Sequence, residues 1–155
     1  MTNTRITDAE VLESRYPIML NEFSIRAGSG GDGAFVGGDG VVRDFTFFDG
    51  LDISLVTERR VFAPNGIMGG CNGSRGYNTM TTPDKDGAKG KTVNLGGKTS
   101  LTIEKGTRVR ILTPGGGGYG NVGDKSLAAE IEKPKGPVLG GIGSYNQSLK
   151  LQEQG

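Results

Sequence analysis

Any chemistry in this chain has to be done without histidine. Its 155 residues include none, and one cysteine, Cys71. The commonest general base and the commonest transition-metal ligand are therefore absent. Zinc and iron sites are nearly excluded, although carboxylates could still hold Mg²⁺. Carboxylate, guanidinium, lysine and tyrosine remain. Their densest grouping is Thr57-Glu58-Arg59-Arg60, at the end of a strand-like run. One reading is an anion clamp, or a carboxylate held by a guanidinium at the edge of an active site. The other is a solvated strand end with local ion pairs. Cys71 lacks a base to activate it as a nucleophile. Asp32 and Asp39 lie in glycine loops and could bind Ca²⁺ or Mg²⁺, but Asp-Gly is also common turn chemistry. No metal site is expected.

Glycine supplies the second set of candidates. There are 29, well above the usual level of roughly 7%, and they follow no fixed period. G-x-G-x-x-G occurs at Gly28, Gly30 and Gly33, and again at Gly115, Gly117 and Gly120. A dinucleotide site needs a helix opening inside that motif, because the helix N-terminus carries the pyrophosphate. Neither stretch continues as a helix. Gly-Lys-Thr occurs at Gly90 to Thr92 and at Gly97 to Thr99, but Lys85 and Thr92 stand where a phosphate-binding loop needs glycine. ATP is not expected to bind through such a loop. In "RVRILTPGGGGYGN" a strand-like run stops at Pro114, four glycines follow, and Tyr119 comes next. Gly115, Gly116, Gly117 and Gly118 either let the backbone turn or permit a close approach to another domain or to substrate.

The elements that must position these groups read as mainly β: an antiparallel sandwich or irregular barrel with glycine-rich loops, a short N-terminal helix and a polar C-terminal tail. Thr7 and Glu10 fit a capping box ahead of "AEVLESRY", with Val11, Leu12 and Tyr16 on one side. "NEFSIR" alternates as a strand. Asp49-Gly50 is a hairpin signal between "VVRDFTFF" and "LDISLVTERR". "YNTMTT" and "TVNLG" flank a polar loop, and "KTSLTIEKG" and "TRVRILT" read as a last pair. Residues 1–120 form the β-rich unit, and residues 121–155 a tail that serves as linker or docking segment. Net charge is +1 with mixed signs, so neither nucleic acid nor an anionic membrane is an expected partner. No apolar run reaches membrane-spanning length, and a reducing, cytoplasmic setting is expected.

Several segments together, "MTNTRITDAEVLESRYP", "GSGGDGAFVGGDGVVR", "VTERRVFAPNGIMGG", "GSRGYN", "VNLGGKTSLTIEKG" and "TPGGGGYG", resemble in order and spacing the C-terminal part of the hydantoinase B/oxoprolinase family, within it the ATP-dependent 5-oxoprolinase branch. The resemblance covers roughly residues 1 to 123, and "GSYNQSLKLQEQG" resembles the end of the eukaryotic form more weakly. It implies ATP-dependent opening of the lactam of 5-oxoproline to glutamate, in the glutathione cycle. ATP and Mg²⁺ would belong to an actin-like ATPase half absent here. No cofactor is implied in this chain, whose partners would be the remainder of the polypeptide or a companion subunit, with a small cyclic amide as substrate. It also implies roles for residues: Glu58 and Arg59 in catalysis, and Asn3, Thr4, Arg5 and Gly115 to Tyr119 in substrate binding. Asn3 and Arg5 would meet carboxylate or phosphoryl oxygens, and Glu58 would orient Arg59 or a water. Where relatives carry histidine before "MTNTR", this chain has its start; Ala9 replaces a usual proline and Cys71 an acid. The alternative is a stand-alone, non-catalytic β module that binds a protein partner or small ligand.

Overall fold

The computed structural model describes residues 6–84 and 90–124. Asn3, Thr4, Arg5 and all of the expected tail beyond Asp124 lie outside the described residues. The chain begins with helix α1 (Ala9–Arg15), followed by β1 (Ile18–Arg26), β2 (Gly40–Phe47), β3 (Leu51–Val56), β4 (Tyr77–Thr81), β5 (Thr92–Asn94), β6 (Lys98–Ile103) and β7 (Arg108–Leu112). The strands form two open antiparallel sheets: five strands in the order β1-β2-β7-β4-β5, and the pair β3-β6.

Helix α1 is capped by Asp8, not Thr7. The Asp8 carboxylate accepts from the amides of Glu10 (2.9 Å) and Val11 (3.4 Å), and a carboxylate at a helix N-terminus also meets the positive end of the helix dipole. Only Leu12 of the expected apolar face packs on the core; Val11 and Tyr16 are exposed. Glu13 Oε1 accepts from the Leu20 amide at 2.8 Å and pins the helix to β1.

Two expected pairings are replaced. β2 and β3 do not form a hairpin across Asp49-Gly50, because β2 pairs with β1 and β7 while β3 pairs with β6. Nor do β6 and β7 pair with each other. Both connections are corners at which the chain leaves one sheet for the other. The corners are tied together: Phe47 N donates to Thr107 O (2.9 Å), and Gly106 N donates to Phe47 O (2.7 Å). An Asp-Gly or Lys-Gly signal states that the chain bends, but not which edge the next strand joins. Burial decides that. Phe45, Phe47 and Val109 on one face of the large sheet pack with Ile103, Leu51, Ile53 and Leu101 of the small one, and a local hairpin would leave this apolar face in water.

The opposite face of the large sheet is polar. Asp44, fully buried, accepts from Arg108 Nε and Nη2, both at 2.7 Å. β1 carries a bulge between Leu20 and Glu22, and Asn21 in that bulge donates to Asp44 Oδ1 at 3.0 Å. No helix among the described residues is long and apolar enough to cross a membrane.

Candidate functional site

β3 ends at Val56, opposite Lys98 in β6. The ladder continues one step, because Thr57 N and Thr57 Oγ1 both donate to Gly97 O, at 2.8 and 2.7 Å. The chain then reverses at Arg59, whose φ of 59° is a left-handed value that non-glycine residues rarely adopt. The reversal sends Arg60 inward. Arg60 Nε and Nη2 donate to Asn78 Oδ1 at 3.3 and 2.9 Å, and Nη1 donates to Glu58 O at 2.6 Å. Asn78 is fully buried and donates through Nδ2 to Thr57 Oγ1 (2.9 Å) and Gly96 O (2.7 Å). Every polar end of this amide is therefore matched, as burial requires. Gly76 leaves room for the guanidinium: a Cβ there would lie 2.6 Å from Arg60 Nη1.

Outside this anchored turn lies a hollow of about 630 Å³ between residues 57–62 and the Gly97-Lys98 edge. Glu58 and Arg59 both line it. Glu58, expected to orient Arg59 or a water, pairs with Lys98, Oε1 to Nζ at 3.1 Å, both side chains mostly exposed. The register placing Lys98 opposite Val56 brings that lysine to Glu58, and an exposed pair of this kind contributes little to stability. The rim also carries Val61 and Phe62, which are 70% and 77% exposed.

Gly115 to Gly118 are placed elsewhere, in a lock of three loops. Gly31 N donates to Gly116 O, Gly116 N to Gly38 O, and Gly118 N to Cys71 O, at 2.8, 2.8 and 2.9 Å. Added Cβ atoms at Gly115, Gly117 and Gly118 would overlap the carbonyl oxygens of Ser29, Asn65 and Asp32 respectively. The close approach is thus to the chain's own backbone, from loops 27–39 and 63–76. Tyr119 exchanges backbone hydrogen bonds with Phe35 (2.9 and 3.0 Å), and their rings tilt together at 6.3 Å. Glu58 and Arg59 share a hollow; the glycines do not line it.

The first G-x-G-x-x-G stretch does hold an anion, one from the chain itself. Asp39 Oδ1 accepts from the amides of Ser29 and Gly30, both 2.8 Å, and Oδ2 from Gly28 at 3.3 Å. The Gly30 amide foremost holds the Asp39 carboxyl below its ordinary value, against the smaller opposing effect of burial.

Three arginines were not legible as a group. Arg26 ends β1, Arg60 follows β3 and Arg75 precedes β4, yet all three line one further hollow. "VTERR" and "GSRGYN" contained two of them, but only tertiary structure brings them together.

Fold and site define a two-sheet β module locked at one end by glycine loops, with an arginine-anchored turn at its edge; no nucleotide-binding βαβ unit is built from the described residues. The hydantoinase B/oxoprolinase family model matches residues 1–122, and the chain belongs to that family. It is 51% identical over 120 residues to a 5-oxoprolinase of Dictyostelium discoideum, covering 77% of this chain and 9% of the relative. It is 48% identical over 121 residues to 5-oxoprolinase 1 of Arabidopsis thaliana, covering 78% and 9%. The fold matches the crystal structure of ATP-dependent caprolactamase from Pseudomonas jessenii with a TM-score of 0.56, at 23% identity, over 81% of this chain and 22% of that one. The chain thus spans about a tenth of the length of these curated relatives.

Proposed function

We propose that this chain supplies the C-terminal β-rich segment of an ATP-dependent 5-oxoprolinase, forming one wall of the site where an activated cyclic amide is hydrolysed. One observation carries the reading: 51% identity to a 5-oxoprolinase along a stretch that is only 9% of that relative. ATP and Mg²⁺ are assigned to the ATPase half that such relatives supply outside this stretch, because the glycine motifs here close on their own backbone. The remainder of that polypeptide is the partner, and the cytoplasm the setting.

A lactam is a poor electrophile until its oxygen becomes a good leaving group, which is the contribution of phosphorylation by ATP. This chain's groups would act on the result. Arg59, with Asn3 and Arg5, meets the carboxylate or phosphoryl oxygens of the intermediate, since a guanidinium fork takes two oxygens at once. Glu58 orients water or substrate from the same hollow, after exchanging its exposed pairing with Lys98. Gly115 to Tyr119 act from behind: the lock holds the loops that frame the wall, and Tyr119 faces the partner.

The test begins with the 155-residue chain alone, given 5-oxoproline and ATP, where no glutamate is expected. Mixed with the remaining polypeptide it restores glutamate formation. In that complex Glu58→Gln lowers kcat about 10²-fold or more, within the usual range for a positioned acid-base group. Arg59→Gly relieves the left-handed backbone while removing the guanidinium, so it leaves stability intact and still lowers turnover. Turnover by the isolated chain, or failure of the mixture to form glutamate, overturns the proposal and favours a stand-alone module.

A further inference from the structure

We propose a second site on this chain, next to the Glu58–Arg59 hollow and sharing Arg60 with it: a pocket for a small-molecule oxyanion, phosphate or carboxylate, formed by Arg26, Arg60 and Arg75. It rests on no part of the oxoprolinase reading.

The pocket is about 610 Å³ and is also lined by Ser74, Tyr77 and Asn94. That size suits a small molecule better than a lone ion. Three distant stretches of sequence bring three arginines to line one hollow. Each is held by a neutral acceptor. Arg26 Nη1 donates to the carbonyls of Arg75 (2.8 Å) and Thr113 (3.0 Å), and Arg75 Nη1 donates to Val61 O at 3.2 Å. Arg60 is held by Asn78 and the Glu58 carbonyl. No carboxylate from the described residues lines the pocket. Among the described residues, Glu58 pairs with Lys98, Asp44 with Arg108 and Arg110, and Glu22 with Arg110, all away from this pocket.

Among the described residues the positive charge here therefore has no carboxylate beside it in the pocket. Arg60 is depressed below the ordinary arginine range, first by burial and then by the charge of Arg26. Like charges brought together without a counter-charge cost free energy, and that cost is recovered when an anion enters. The remaining lining points the same way. Asn94 Oδ1 already accepts from Gly96 N at 2.9 Å, so its Nδ2 is the end left to donate. Ser74 and Tyr77 add hydroxyl donors. A fixed set of donors with no anionic acceptor suits an oxyanion, and guanidinium forks suit its paired oxygens.

The experiment titrates the full 155-residue chain with inorganic phosphate, and separately with glutarate, at constant ionic strength, following the arginine Nε–H NMR signals. Saturable shifts at Arg26, Arg60 and Arg75, with the two anions competing, are expected; the tighter of the two identifies a phosphoryl or a carboxylate ligand. Asn94→Asp places a carboxylate among the arginines and Arg75→Gln removes a fork. Each should weaken binding about tenfold or more, as loss of a charge-assisted hydrogen bond implies, while the unfolding midpoint is retained. Arg26→Gln is avoided because it would also strip two backbone carbonyls. Shifts that do not saturate, shifts spread equally over Arg15 and Arg108, or unchanged affinity in both variants would overturn the proposal.

Discussion

Two aspartates in this chain are held as carboxylates by different means. Asp39 is exposed and gathers the amides of Gly28, Ser29 and Gly30. Asp44 is fully buried, and burial alone would raise its carboxyl. Hydrogen bonds from Arg108 and Asn21, and the charges of Arg108 and Arg110, together outweigh burial and hold it below the ordinary value of 3.8. Both groups thus bind protons more weakly in the folded chain than in the unfolded one. Their contribution to stability is complete above the unfolded value and is lost as pH falls through the lower folded values. The unfolding midpoint should therefore be level near neutrality and drop below about pH 4. Asp44→Asn should lower stability by about 2 kcal/mol at pH 7, less than for a wholly buried pair because Arg108 and Arg110 are half exposed. It should also flatten the acid slope; an unchanged slope would refute the assignment. None of this was visible in the sequence, where Asp39 reads as an Asp-Gly turn and Asp44 as one polar residue in an apolar strand.

At the scale of elements, the positions of the strands were legible and their partners were not. Alternation within "LDISLV" and "KTSLTI" puts Leu51, Ile53 and Leu55 on one face of β3 and Leu101 with Ile103 on one face of β6, and those are the less exposed faces in the structure. Pairing depends on which faces bury each other, and a period of two carries no such information. The glycine loops show the same limit. Four consecutive glycines fit a turn or a close approach, and the carbonyls they approach come from loops far away in sequence. The lock also makes the four glycines unequal. A Cβ at Gly117 overlaps the Asn65 carbonyl, whereas one at Gly116 comes no nearer than 3.2 Å, to Gly38 N. Gly117→Ala should therefore cost about 3 kcal/mol, the upper part of the overpacking range, and Gly116→Ala under about 1 kcal/mol. Chemical denaturation of the two variants measures the difference. Equal losses would mean that the loops give way and the lock is loose.

For the whole molecule the question is what covers its apolar surface. Val61 and Phe62 protrude beside the Glu58–Arg59 hollow, and Phe23 and Ile25 are exposed on β1. The β3-β6 sheet has only two strands, too few to be stable without a neighbour. The five-stranded sheet supplies one, and the proposed function seats the polypeptide that the relatives carry beyond this stretch on the exposed Val61-Phe62 rim. Phe62→Asp tests that arrangement. A side chain 77% exposed contributes little to the chain's own packing, so the unfolding midpoint of the isolated chain should move by no more than about 0.5 kcal/mol. Burying the new carboxylate against the remaining polypeptide, by contrast, should weaken association about a hundredfold, as expected when a central aromatic contact is replaced by an unpaired charge. Titration of the two parts by light scattering or calorimetry gives the second number. If Phe62→Asp associates as tightly as the parent chain, this rim does not touch the remainder, and the hollow beside it opens to solvent in the proposed complex.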